Sequence, residues 1–310
     1  MPSLASNGEG FASRESVDVL WSGSASAPVL LALVPGPRAE APGLYRAAAP
    51  RPSTAGANAS IPVVRVCALS GAAQFSFDRR RLLALSVEGD RRLLTLHDLP
   101  SCRRRAQLVV PARTFDFDAR GNLVAIAERH VAGMSRIHLY LLRREAARRI
   151  ATAISDGNVE LGFDGRAALL HNFDRMTAGP AAWRIPALTP VGSRPFSEHE
   201  TPLPASGWRI HSDQDKAEVR HADGRRHRLP SAWKTGTHLW SVSGDGSRLL
   251  GWRIEDAEGR LLLAGIEPPS LAVLARGHID AAAISADGRY AAWSERDGER
   301  VRLRHRVLPP

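Results

Sequence analysis

Lysine is nearly missing from this 310-residue chain: Lys216 and Lys234 are the only two among 42 basic residues, and the rest are arginine. With abundant alanine, glycine and proline, that bias is expected of a GC-rich bacterial genome. Part of the arginine excess then reflects codon usage, which weakens any argument from the net charge of +10 to a partner. Cysteine is as scarce. Cys67 and Cys102 lie far apart in sequence and are expected as plain thiols in a reducing, cytoplasmic setting. No apolar run approaches the ~18 residues that cross a bilayer as a helix. The longest, Ala27 to Val34, has the length of a strand. No basic stretch followed by an apolar core opens the chain, so neither a signal peptide nor a membrane contact is expected. Aromatics make up 6% of residues and do not interleave with the basic clusters, unlike nucleic-acid stacking surfaces. Helical periodicity is confined to Arg143 to Ile150, which reads better as a turn and an outer strand.

Catalytic signatures are lacking as well. There is no Gly-x-Ser-x-Gly elbow, no His-Glu-x-x-His and no glycine-rich phosphate loop. No cofactor or metal is expected from motif spacing. An enzyme whose site residues are dispersed along the chain is compatible with these absences.

What the chain does have is a returning phrase. Ile284-Ser285-Ala286-Asp287-Gly288 is followed by Tyr290-Ala291-Ala292-Trp293, and Val242-Ser243-Gly244-Asp245-Gly246 by Leu249-Leu250-Gly251-Trp252. Looser copies surround Phe77-Asp78, Phe117-Asp118 and Phe163-Asp164. The turn aspartates are thus Asp78, Asp118, Asp164, Asp245 and Asp287, separated by 40, 46, 81 and 42 residues. The long gap holds one worn copy. Asp bonds its own backbone and Gly accepts a positive φ, so each phrase is a tight turn between two apolar strands. A third and fourth strand follow, as in Arg260 to Ala264 and Leu271 to Leu274. Four strands in about 40 residues make one propeller blade.

The expected fold is all-β: a single β-propeller of about seven four-stranded blades, with six as the alternative. Residues 1–16 are expected as a flexible lead and residues 17–310 as the propeller domain. The last copy supplies only three strands, so an N-terminal strand is expected to complete it and close the ring. Ile61 to Leu69 is the favoured segment. Residues 195–235 form the least regular blade, with Asp223-Gly224 expected between its second and third strands. The repeat resembles the WD40 family and its TolB-like bacterial relatives. Gly277-His278, Ser285-Ala286-Asp287-Gly288 and Val301-Arg302-Leu303 carry the resemblance. Arg304-His305 stand where Trp-Asp closes the family's repeat, so its buried His–Ser–Trp–Asp network is expected to be incomplete. The resemblance covers residues 70–308 and implies a fold rather than an activity.

Several clusters have both a chemical reading and a plain structural one. Glu198-His199-Glu200 is the tightest group of metal-ligand types, but isolated triplets of this kind are mostly solvated loop. Asp116 and Asp118 alternate on one side of a strand, as paired acid–base carboxylates would, yet Asp118 is accounted for as a turn residue. Arg79-Arg80-Arg81, Arg103-Arg104-Arg105, Arg143-Arg144 with Arg148-Arg149, and Arg225-Arg226 with His227-Arg228 all fall at expected turns. In one repeat register they gather on a rim suited to an acidic protein or to phosphates. Trp233, beside Lys234, is the candidate exposed anchor. The sequence therefore favours a non-catalytic, monomeric scaffold that presents a propeller rim and channel mouth to a protein partner. A lactonase-like or glycan-processing enzyme with a site in the central channel is the first alternative. Nucleic-acid binding by the arginine rim is the second.

Overall fold

The computed structural model describes residues 11–12, 17–24, 27–34, 42–47, 59–60, 63–143, 146–163, 169–172, 182–191, 200–202, 208–213, 216–221, 223–230, 233, 237–255, 258–298 and 300–309. After β1 (Phe11–Ala12), the strands β2 (Asp18–Ser24), β3 (Ala27–Val34), β4 (Gly43–Ala47), β5 (Ala59–Ser60) and β6 (Val63–Ala68) follow; β2-β3-β4-β6 is the first sheet. The second sheet is β7 (Ala72–Phe75), β8 (Arg81–Glu88), β9 (Arg91–Asp98) and β10 (Arg103–Val110). The third is β11 (Thr114–Arg120), β12 (Leu123–Arg129), β13 (Ser135–Arg143) and β14 (Ala146–Ser155). The fourth has the shortest strands: β15 (Leu161–Phe163), β16 (Leu169–Asn172), β17 (Ala182–Arg184) and β18 (Thr189–Pro190). The fifth is β19 (Glu200–Pro202), β20 (Trp208–Asp213), β21 (Lys216–His221) and β22 (Arg226–Arg228). The sixth is β23 (His238–Val242), β24 (Arg248–Glu255), β25 (Glu258–Gly265) and β26 (Ser270–Arg276). The seventh holds β27 (His278–Ile284), β28 (Tyr290–Asp297) and β29 (Arg300–Val307), with β1 and β5 both paired to β29.

These seven antiparallel sheets are the blades of a seven-bladed β-propeller. The chain forms two compact units, Gly71–Glu198 with the second to fourth blades, and Met1–Ser70 joined to His199–Pro310 with the others.

Blades bury both faces, so their strands read as continuous apolar runs rather than as alternation. In β28, Ala291 and Trp293 pack with Leu250, Leu261 and Ile284, whereas Ala292 turns to Val19, Leu30 and Tyr45. Neighbouring residues thus serve two different cores. In the 71–198 unit, Leu83, Leu94, Phe117 and Ile126 fill one core, and Ile137, Leu139, Phe163 and Trp183 the next.

Three expectations are corrected. Val63–Ala68 does not complete the last blade; it pairs with β4 as the outer strand of the first. The completing strands come from elsewhere in the N-terminal part, with Phe11 opposite Val301, Ala12 opposite Arg300 and Ser60 opposite Arg304. Phe11 and Ala12 lie in the stretch expected as lead, too short a pair to show a strand pattern. Asp223-Gly224 joins the third and fourth strands of its blade, β21 and β22, not the second and third.

Asp118 is the third correction. Three phrases do form one identical turn. Ser76, Ser243 and Ser285 each donate a hydroxyl hydrogen bond to Asp78, Asp245 and Asp287 at 2.6–2.7 Å. Each serine Oγ also accepts the amide five residues on, from Arg81, Arg248 or Tyr290. Each aspartate accepts the amide two residues on. Asp118 has no such turn: it lies inside β11, and Gly121-Asn122 makes the reversal, Gly121 at φ +57°. Asp164 lies outside the described residues.

Candidate interaction site: an arginine-lined blade edge

The first strand of each blade is a sheet edge whose outward amides need acceptors. Within each unit, side chains from a neighbouring first strand supply some of them. In the 71–198 unit, Asp116 accepts from Leu161 N at 2.6 Å and Asp118 from Phe163 N at 2.8 Å. Asp118 Oδ1 also accepts from Phe77 N at 2.9 Å, so one carboxylate ties three consecutive blades. Burial pushes Asp118 up to about 7 against the pull of the Phe163 and Phe77 amides, and Asp116 up to about 6. In the other unit Ser241 accepts from Ile284 N, and Asp280 from Val17 N. The paired aspartates are therefore braces between blades. The spacing that suggested acid–base work was the i, i+2 match of one strand to the next.

The outer strands are the opposite edges, and arginine marks five of them, while β18 carries none. Arg65 is on β6, Arg103 to Arg105 on β10, Arg148 and Arg149 on β14, Arg226 and Arg228 on β22, and Arg276 on β26. Charge on an open edge discourages indiscriminate strand pairing. This is a physical use for part of the arginine excess.

The second blade carries more than guarding requires. Its β7–β8 turn and its β9–β10 turn lie at the same end of the sheet. That end gathers Arg79, Arg80 and Arg81 with Arg103, Arg104 and Arg105. Asp98 closes β9 there, a largely buried carboxylate. Arg81 reaches it at 2.9 Å, Arg103 at 3.6 Å and Arg105 at 4.0 Å, so one negative charge serves three guanidiniums. Arg105 also donates to Asn122 Oδ1 at 3.0 Å. Arg79, at φ +57°, lies 5.7 Å over the Phe75 ring. Arg80 and Arg104 are exposed, and the Arg103 side chain is 80% exposed. Asp98 was not legible in the sequence, because its arginine partners lie on different strands.

The other candidates fare differently. Trp233, expected as an exposed anchor, is 6% exposed and packs with Trp208, Val242 and Leu249. It fills a blade core because the backbone turns at Pro230, whose carbonyl accepts from Trp233 N. Arg225 is held by Asp223 and stacks 5.1 Å over Trp208, while Arg226 is exposed. Burial alone would raise Asp223, but hydrogen bonds from His221 and Arg225 hold it down at about 2. His278, matched to the blade-opening histidine, is 70% exposed and lies 3.3 Å from Asp280. Asp280 is also clasped by Arg296. Glu128, which sequence reasoning missed, accepts from Arg136 and His138, and His138 Nδ1 meets Thr152 Oγ1 at 3.2 Å. Burial lowers His138 despite the nearby carboxylate, so it is neutral near pH 7 and braces β12, β13 and β14. Glu198 and His199 lie outside the described residues; among those described, no group of three or more His, Cys, Asp or Glu could hold a metal ion.

Neither cysteine is a free thiol: Cys67 and Cys102 are both disulfide-bonded. This corrects the expectation of plain thiols, which sequence distance alone had suggested. No helix among the described residues is long and apolar enough to cross a membrane.

No family model matches the chain, and no curated protein matches it. Solved structures do. A chain of the mitotic checkpoint complex aligns with 14% identity over 100% of this chain and 93% of its own, at a TM-score of 0.49. The Cps50 (Swd1) β-propeller domain of Myceliophteria thermophila aligns with 12% identity over 99% and 100%, at 0.48. TolB from Acinetobacter baumannii aligns with 15% identity over 92% and 65%, at 0.39. These neighbours are β-propellers of the WD40 and TolB types. At such identities the likeness concerns the fold and assigns no activity.

Proposed function

We propose that this chain is a non-catalytic interaction module whose arginine-lined edge, on the β7–β10 blade, receives an acidic protein partner. One observation carries the reading: three guanidiniums share the single carboxylate of Asp98, with Arg80 and Arg104 exposed beside them. Charge excess of this kind favours a complementary negative surface and speeds its encounter. Arginine suits the role because its planar fork takes a carboxylate through two hydrogen bonds.

The test is affinity purification of the tagged full-length chain from its own cells, with and without nuclease, at low and moderate salt. A stoichiometric protein that survives nuclease supports the reading. Nucleic acid alone, lost at moderate salt, or a clean monomer under gentle conditions, refutes it.

We also place the protein in an oxidising compartment, since disulfides persist there and are rare in reducing cytosol. The placement departs from the cytoplasmic expectation, which rested on plain thiols and on the lack of a signal-peptide pattern. Alkylation of native protein before and after reduction checks it. Two thiols that react without reductant, in protein isolated under quenching conditions, would overturn it.

A further inference from the structure

We infer that β10 accepts an acidic, extended segment of the partner as an added strand of its blade. The inference rests on the proposed function and adds the mode of contact. β10 ends its sheet, pairing with β9 alone. It is eight residues long, and no described strand pairs with its other edge. A row of unpaired amides and carbonyls is a template for strand addition.

The two halves of β10 supply different parts of the recognition. From Ala106 to Val110 it pairs regularly with Leu96 to Arg92 of β9. There Gln107 and Val109 point outward, Val109 58% exposed. That half presents a regular ladder and an apolar contact. The register breaks between Arg104 and Ala106, so Arg105 is the bulged residue. A bulge twists the strand and re-aims side chains. Arg103 and Arg104 stand just before it, exposed. That half presents charge.

Together these select one kind of strand. A neutral or basic strand gains the ladder but meets the guanidiniums. The chain's own β6, β14, β22 and β26 carry arginine too, and β10 would meet itself with like charge, so pairing between copies at these edges is disfavoured. An acidic strand gains both terms, attraction acting here as the specificity filter.

The experiment uses the full-length chain and synthetic nine-residue peptides. One peptide alternates Glu and Val, and a second alternates Lys and Val. Two more repeat the Glu/Val sequence with every odd or every even backbone amide N-methylated. Strand addition uses only alternate amides of the incoming strand. The expected result is binding of the Glu/Val peptide and none of the Lys/Val peptide. One methylated version should bind roughly tenfold weaker or worse and the other nearly unchanged, since two or more net hydrogen bonds are lost in only one of them. A chain carrying Arg103→Glu and Arg104→Glu should reverse the preference toward the Lys/Val peptide. Equal binding of both methylated peptides, or no binding of the Glu/Val peptide, overturns strand addition. If the cellular partner is still captured in that case, the arginine edge stands as the site and only the mode of contact falls.

Discussion

Asp245 and Asp118 began as two copies of one repeat position, and the molecule uses them in opposite ways. Asp245 is exposed at a turn. It takes the Ser243 hydroxyl and the Ser247 amide, and those bonds hold its carboxyl below the ordinary 3.8, outweighing the upward push of burial. Asp118 is 1% exposed within a strand, bonds two other blades, and is pushed by burial up to about 7. One aspartate shapes its own hairpin; the other holds three blades together. A repeat fixes where a residue sits along a blade, while hydrogen-bond partners decide what it does.

The sharpest way to break this comparison is Asp118→Ala. It leaves the Phe77 and Phe163 amides without their acceptor in a buried place, and should cost roughly 2–5 kcal/mol in chemical denaturation. The same change at Asp245 should cost less than half as much, because water reaches that turn. Equal losses would show that Asp118 is not a brace.

Next come the turn glycines. Gly246 sits at φ +80° with Trp208 packed where a Cβ would lie, whereas Gly121, at φ +57°, has open space. Gly121→Ala should lose about 1–2 kcal/mol to backbone strain alone, and Gly246→Ala clearly more. Thermal melts of the two variants decide it. A third change, Ser285→Ala, removes one donor and one acceptor from an intact turn and should cost about 1 kcal/mol.

The pH dependence separates the two aspartates by sign. Asp118's folded value of about 7 lies above the ordinary 3.8. Its contribution is therefore full below about pH 4 and declines as pH rises toward 7. Asp245 is lowered, so its contribution is present above the ordinary value and lost as pH falls below it. Relative to wild type, Asp118→Asn should gain stability as pH rises from 4 to 7, and Asp245→Asn should gain only as pH falls below 4. Parallel curves for the two variants would remove the distinction.

Much of the fold was legible because turn chemistry is local. Ser-x-Asp forms its hydrogen bonds within six residues, so three turns, two of them with Gly after the Asp and one with Arg79, and the blade length follow from sequence. The strand pair that completes the last blade was not legible, since two residues such as Phe11 and Ala12 carry no period. Trp233 misled because a lone tryptophan beside lysine looks like a surface anchor until its packing partners Trp208 and Leu249, from other strands, are known. The arginine clusters could be read as a group, but Asp98, which shows their excess, joins strands 17 or fewer residues apart only through the sheet.

The most direct test of the functional account is a side-by-side capture of the cellular partner by wild type and by a chain carrying Arg80→Glu, Arg103→Glu and Arg104→Glu. All three side chains are exposed, so the variant should fold and melt like wild type. The account predicts that the partner is lost from the variant and that its binding to wild type weakens steeply with salt. Equal capture by a folded variant, with the same salt dependence, would contradict it.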